Sequence, residues 1–154
     1  VKVDIAVEDP AQPEIEALLK DGECHSAELY PAESIHHLAL DVLRAANVRF
    51  HVARNGEGRA VATGALVLHG SWAEIKRMWV IPAARGLGIS RKVLETLEAR
   101  ARSEGVRFLR LETGSDNQVA LRLYARAGFA MRDIFADYRP DPLSAFMEKD
   151  LHAA

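Results

Sequence analysis

The stretch Ile75-Lys76-Arg77-Met78-Trp79-Val80-Ile81-Pro82-Ala83-Ala84-Arg85-Gly86-Leu87-Gly88-Ile89-Ser90-Arg91-Lys92-Val93-Leu94 constrains this chain more than any other. Its pattern predicts a strand, a glycine-bearing turn and the start of a helix. These twenty residues carry five basic side chains and no acidic one. A helix start ordinarily attracts Asp or Glu, because its unpaired N–H groups and dipole are partially positive. Basic residues add to that positive end instead. Such an arrangement makes sense when an anion from outside the chain sits there, and phosphate is the usual one. The segment reads as a phosphate cradle.

The rest of the composition narrows the partner. A chain of 154 residues is expected to form a single domain over 1–154, burying roughly two-thirds of its unfolded surface. Its hydrophobic and charged fractions, 49% and 27%, are ordinary for a globular protein. A net charge of −2 gives no global field favouring nucleic acid or an anionic membrane, so the basic cluster is local and suits a small ligand. No apolar run approaches the ~20 residues that span a bilayer, and no signal-peptide pattern is evident. The single cysteine, Cys24, excludes an intramolecular disulfide and fits a reducing cytoplasm. The first residue is Val1, so an initiator Met is expected to have been removed or to lie outside this sequence.

Hydrophobic periodicity organises the chain as β-α-α-β-β-β-α-β-α-β-β. Lys2 to Val7 alternates as a first strand, and Pro13 to Lys20 reads as a short helix ended near Gly22. Ser34 is the expected N-cap of an amphipathic helix carrying Ile35, Leu38, Ala39, Val42, Leu43 and Ala46, with Asn47 past its end. Val48 to Ala53, Ala60 to His69 and Trp72 to Ile81 read as three consecutive antiparallel strands, turned at Asn55–Gly58 and at Gly70-Ser71. A helix from Ile89 to about Glu104 stops at Gly105, and a strand follows from Arg107 to Thr113. A last helix from Asn117 to Ala127 stops at Gly128. Phe129 to Arg132 and Ala145 to Lys149 can pair as final strands around the proline-bearing loop Ala136–Pro142. The order implies one mixed α/β domain with helices covering a central sheet.

Two blocks together resemble the GNAT N-acetyltransferase superfamily. The first is Arg85-Gly86-Leu87-Gly88-Ile89-Ser90, matching Arg/Gln-x-x-Gly-x-Gly/Ala and preceded by the common Val-x-Pro-x-x as Val80 to Ala84. Ser90 stands where the family usually has Gly or Ala. It is small enough to keep the backbone approach to a pyrophosphate. The second block, Asn117 to Phe129, matches Asn-x-x-Ala-x-x-Leu-Tyr-x-x-x-Gly-Phe throughout. A helix and a strand separate the blocks, as in the family. The resemblance covers residues 48 to 150 well and the first 47 loosely. Rival phosphate motifs fail: a P-loop needs four residues between its glycines and a following Lys-Ser/Thr, and a dinucleotide fingerprint needs a third glycine where Arg91 stands. The implied fold is a GNAT-like acyl-CoA N-acyltransferase fold, α/β (α+β), with a mixed, largely antiparallel central sheet flanked by about four helices.

The resemblance implies an acetyl-CoA-dependent N-acetyltransferase that needs no metal. Backbone N–H groups of Arg85, Gly86, Leu87, Gly88, Ile89 and Ser90 would bind the pyrophosphate, with Arg85, Arg91 and Lys92 adding charge. A solvated helix face is the alternative for Arg91 and Lys92. The backbone of Met78, Trp79 and Val80 would pair with pantetheine, and the Val80 N–H would polarise the acetyl carbonyl. Trp79 reads equally as packing. Tyr124 is the candidate general acid that protonates the leaving thiolate, against a plain buried tyrosine. Asn117 is a cap, a pantetheine contact, or both. Glu74 sits at the offset of the glutamate of histone-type members and is the candidate general base; the competing reading pairs it with Lys76 or Arg77 on an exposed strand face.

Acceptor candidates come from the first two helices and the late loop: Tyr30, Glu33, Ser34, His36 and His37, with Asp137, Tyr138 and Arg139. Acidic and basic groups together point to an amino-acid-like amine. His36-His37 lacks further ligands at metal-site spacing and reads as a helix surface. Cys24 reads as a buried or loop residue, since this chemistry needs no acyl-cysteine. The wording around Tyr30 and Tyr138 resembles a bacterial subgroup of small-molecule acetyltransferases, among which a homodimer is expected. The alternatives are a non-catalytic acyl-CoA-sensing or partner-binding module, and an enzyme acting on a protein amine.

Overall fold

The computed structural model describes residues 2–29 and 40–152, of which 24–29 in backbone only. The described elements are β1 (Asp4–Val7), α1 (Pro13–Leu29), α2 (Leu40–Leu43), β2 (Val48–Arg54), β3 (Ala60–His69), β4 (Trp72–Val80), α3 (Ile89–Ser103), β5 (Phe108–Gly114), α4 (Gln118–Arg126), β6 (Ala130–Arg132) and β7 (Ser144–Asp150). The strands form one sheet in the order β1-β2-β3-β4-β5-β7-β6. Every pairing is antiparallel except β4 with β5. This is the mixed, largely antiparallel sheet with about four helices expected from the sequence.

Local chemistry explains most boundaries. Asn55 Oδ1 accepts hydrogen bonds from the N–H groups of Glu57 and Arg59, closing the β2–β3 turn. Gly105 ends α3 in the left-handed region, and the Val106 N–H reaches the Ala101 carbonyl, closing a six-residue terminating loop. Gly128 does the same for α4, where the Phe129 N–H bonds the Tyr124 carbonyl.

Two helix ends differ from expectation. α1 does not stop near Gly22 but runs on to Leu29. A Cβ at Gly22 would stand 3.4 Å from Trp79 Cγ, so this glycine brings the helix backbone against the Trp79 ring instead of ending the helix. Cys24 therefore lies in a helix, not a loop. Of the helix expected from Ser34 to Ala46, the described part runs Leu40–Leu43 and stops three residues short of Ala46, where the Arg44 and Ala45 N–H groups tighten onto the Asp41 and Val42 carbonyls and the chain turns into β2.

The core lies on both sides of β2–β4. α3 packs on β2, β3 and β4 through Ile89, Val93, Leu94, Leu97 and Ala101, all buried. At Gly64 the helix comes so close that an added Cβ would meet Val93 Cγ1 at 2.7 Å. The adjacent Thr63 and its partner Trp79 point to the other side by the pleat, where α1 lies. No helix among the described residues is long and apolar enough to cross a membrane.

Candidate active site

The site begins with a defect in β4. β3 and β4 pair as Thr63↔Trp79 and then Ala65↔Lys76, so Arg77 and Met78 stand opposite Gly64 alone. This is a β-bulge, and Arg77 sits at its kink with φ +58°. That conformation costs a non-glycine residue about 1–2 kcal/mol. Two tertiary ties offset it: Thr63 Oγ1 donates to the Arg77 carbonyl at 2.7 Å, and the Arg77 guanidinium pairs with Glu23 of α1 at 2.5 Å.

The bulge parts the sheet. β4 and β5 pair in parallel from Trp72↔Phe108 to Ile75↔Leu111 and no further. Beyond that point β5 stays with β7 through Gly114↔Ser144, while β4 stays with β3 through Val80↔Ala62. Between them opens a cleft of about 690 Å³. The Ile81 N–H bonds the Val61 carbonyl on the β3 side. Strand alternation therefore turns the Val80 N–H and C=O toward the cleft. The Val80 carbonyl accepts from Arg85 Nε at 3.2 Å, and the Arg85 guanidinium stacks 4.9 Å over the Trp79 ring.

At one mouth of the cleft stands the start of α3. Gly88 is its N-cap at φ +77°, with Gly86 at +79°, and neither would bring an added Cβ within 4 Å of anything. No side chain caps this helix and no acidic residue lies in its first turn. Its N–H groups thus face open space with the positive end of the dipole behind them, which suits a phosphate group. Arg85, Gly86, Gly88, Ile89, Ser90 and Arg91 line the cleft. Arg91 is mostly exposed and pairs with Glu95 at 3.2 Å. Leu87 turns its side chain to solvent, and Lys92 lies along a separate shallow groove beside Val3 and Ile5.

α4 forms the opposite wall. Asn117 Oδ1 caps it by accepting from the Ala120 N–H at 3.1 Å, and Asn117 also lines the cleft. Tyr124 is 5% exposed at the cleft wall, its ring edge-on to Phe129 at 5.7 Å. The helix-ending turn at Gly128 is what brings Phe129 back onto Tyr124, which gives the Tyr-x-x-x-Gly-Phe spacing its physical meaning. Burial pushes the Tyr124 hydroxyl well above its usual pKa, so it holds its proton through neutrality.

Glu74 corrects an expectation. It is 6% exposed, so it does not lie on a solvated strand face, and its partner is Lys76 at 3.5 Å, while Arg77 turns to Glu23. Tyr138 of the late loop closes over it: the Tyr138 O–H donates to Glu74 Oε2, and Lys76 Nζ donates to Tyr138 Oη at 2.5 Å. Burial and the Glu74 carboxylate push the Tyr138 hydroxyl far above its usual pKa. Glu74, Lys76 and Tyr138 all line the cleft, with Met78, Trp79 and Val80 continuing along β4. Asp137 and Arg139 are exposed and stay outside the lining, because only Tyr138 turns inward onto Phe135 and Phe146.

Tyr30, Glu33, Ser34, His36 and His37 lie outside the described residues. Sequence reasoning missed Thr63, Arg77 and Glu112 as part of the cleft, and Leu18 and Leu19 as its α1 side. Their burial and pairing are long-range and leave no local pattern. Among the described residues no group of three or more His, Cys, Asp or Glu is arranged to hold a metal ion.

Comparison with known proteins bears on this geometry. Residues 13–129 match the model of the Acetyltransferase (GNAT) family. The chain is 44% identical over 151 residues to an IAA acetyltransferase of Azospirillum brasilense, covering 97% of this chain and 98% of that one. It is 34% identical to the uncharacterized N-acetyltransferase YsnE of Bacillus subtilis, covering 96% and 99%. A Klebsiella pneumoniae protein assigned as an acyl-CoA N-acyltransferase superposes with a TM-score of 0.82 at 36% identity, covering 97% of each chain. The fold is also that of the PaiA N-acetyltransferase of Thermoplasma acidophilum in complex with coenzyme A, with a TM-score of 0.74 at 17% identity, covering 97% and 99%.

Proposed function

The chain belongs to the GNAT acetyltransferase family, and from that premise we propose that it acts as one domain to move an acetyl group from acetyl-CoA to a primary amine of a small molecule, by direct attack in a ternary complex. The observation that carries this reading is the parting of β4 from β5 between an uncapped helix start and a buried tyrosine. Bound acetyl-CoA supplies the activated acyl group as a thioester. The N–H groups at Gly86–Ser90 and the Arg85 and Arg91 side chains hold its pyrophosphate. The exposed backbone edge of Met78–Val80 holds the pantetheine arm as a neighbouring strand would. The Val80 N–H, turned into the cleft, polarises the acyl carbonyl. Glu74 takes the proton of the attacking amine, directly or through a water. As the nitrogen–carbon bond forms and the carbon–sulfur bond breaks, Tyr124 gives its hydroxyl proton to the departing sulfur. A tyrosine that keeps its proton by burial suits this role.

The acceptor meets Glu74, Glu112 and Tyr138 in the cleft, with Tyr30, Glu33 and His37 as further candidates from the first two helices. Two carboxylates suit a cationic amine, with Lys76 beside them for an amino-acid-like group. The test is thiol release from acetyl-CoA in the presence of a panel of polyamines, amino acids, amino sugars and aromatic amines. IAA, the compound in the name of the Azospirillum relative, joins the panel. Release stimulated by an amine, with the acetylated amine identified by mass, is the expected result. Tight acetyl-CoA binding with no stimulated release across the panel would instead favour a non-catalytic acyl-CoA sensor.

A further inference from the structure

We propose that Lys76 is a positioning residue for the proton transfer from the acceptor amine, acting through the Tyr138 hydroxyl to fix which oxygen of Glu74 faces the acceptor. The inference rests on the reading of Glu74 as the group that takes the amine proton.

The argument starts from hydrogen-bond inventory. A protonated lysine has three donors and no acceptor, while a phenol has one proton to give. Lys76 Nζ lies 2.5 Å from Tyr138 Oη, so the lysine donates there. The single Tyr138 proton is given to Glu74 Oε2. Lys76 also stands 3.5 Å from that same Oε2. Oε2 is thereby committed twice, which leaves Oε1 as the oxygen that receives the proton of the acceptor. An ionised carboxylate can only accept, so Glu74 draws the Tyr138 proton, and the lysine's donation to Tyr138 Oη reinforces that direction.

The ring of Tyr138 is held independently. It packs edge-on to Phe135 at 5.3 Å and to Phe146 at 5.5 Å. Removing the lysine charge therefore leaves the phenol in place but takes the cation from both Tyr138 Oη and Glu74 Oε2. Side-chain exposures of 12% for Lys76 and 8% for Glu74 keep both groups largely out of bulk solvent. A purely structural ion pair needs no intervening phenol, and removing one partner of such a pair acts on stability without coupling to Tyr138.

The test compares Lys76→Met, Lys76→Arg, Tyr138→Phe and the double variant Lys76→Met/Tyr138→Phe, using acetyl-CoA and the fastest amine of the panel above. Lys76→Met is expected to lower kcat about 10- to 100-fold, as misplaced catalytic groups do, with KM for acetyl-CoA unchanged. Lys76→Arg, which restores a donor, is expected to regain part of the loss. Adding Lys76→Met to Tyr138→Phe is expected to cost at most about twofold more, because the two act as one unit. With tyrosine labelled at 13Cζ, the Tyr138 resonance moves in Lys76→Met and that of Tyr124 does not. If Lys76→Met does not fold, Lys76→Gln takes its place in the single and double variants: lost kcat that Tyr138→Phe does not compound supports the proposal, and wild-type kcat overturns it. Wild-type kcat in Lys76→Met, or losses that multiply in the double variant, overturn the proposal while leaving the acetyltransferase reading intact. A wild-type protein that acetylates no amine removes both.

Discussion

Gly64 of β3 lies directly beneath Val93 of α3, so that a Cβ at position 64 would stand 2.7 Å from Val93 Cγ1 and 3.1 Å from Leu97 Cδ1. This contact sets the height of α3 above the sheet, and with it the position of the uncapped helix start. It also sits opposite the β4 bulge, where Met78 Sδ would be 3.0 Å from the same Cβ. Gly64→Ala is therefore expected to destabilise the protein by about 1–3 kcal/mol, the usual cost of overpacking. Urea unfolding measures it, and a change under 0.5 kcal/mol, the noise of surface substitutions, would mean that α3 moves freely.

Gly88→Ala acts through the backbone alone. At φ +77° a Cβ meets no neighbour within 4 Å, so the cost is the left-handed conformation itself, about 1–2 kcal/mol. Relief of that strain turns the helix-start N–H groups away from the cleft. The expected outcome is a lower urea midpoint together with acetyl-CoA affinity weakened about tenfold, equivalent to 1.4 kcal/mol. Calorimetry that finds unchanged affinity would remove these N–H groups from the cofactor site.

Tyr124→Phe keeps the ring that packs on Phe129 and removes only the hydroxyl. Turnover is expected to fall about 100-fold, with acetyl-CoA affinity kept. Steady-state kinetics of the folded variant decide it; wild-type turnover would assign Tyr124 to packing.

Stability should fall as pH drops through the histidine range. His51 is buried and bonded through Nδ1 to the Arg49 carbonyl, and burial, aided by Arg100, holds its pKa below the usual 6.5. In the unfolded chain it protonates near 6.5. Below that pH the unfolded state takes up a proton that the folded state refuses, so stability falls; well above 6.5 the contribution is constant. Urea unfolding at pH 7.5 and 5.5 should show the loss in wild type and a smaller one in His51→Asn. Glu8 and Glu104, held below their usual 4.5 by Arg54 and by Arg49 with Arg100, contribute above that value and lose their effect only as pH falls through their lower folded values. Equal slopes in both proteins between pH 7.5 and 5.5 would contradict the assignment to His51.

Much of the fold was legible because its signals are local. Alternation marked β1 and β2, Asn55-Gly56 marked the turn into β3, and Gly105 and Gly128 marked two helix ends. The uncapped start of α3 was legible too, since a helix start without acid and without a cap needs only its own neighbours. Gly22 misled because a glycine placed for close approach to Trp79 looks the same as one that stops a helix. The bulge at Arg77 was invisible: nothing in Ile75–Val80 marks a positive φ, and the ties that hold it come from Thr63 and Glu23. The pairing of Glu74 with Lys76 was readable from their spacing, yet its burial was not. Tyr138, 64 residues further along, is what closes over it.

The most direct measurement is calorimetric titration of the wild-type protein with acetyl-CoA, with CoA, ATP and NAD run alongside. Micromolar binding of acetyl-CoA and CoA, with ATP and NAD far weaker, is the result this account predicts. A folded protein that binds neither acetyl-CoA nor CoA would contradict it, because the cleft between β4 and β5 would then hold something else.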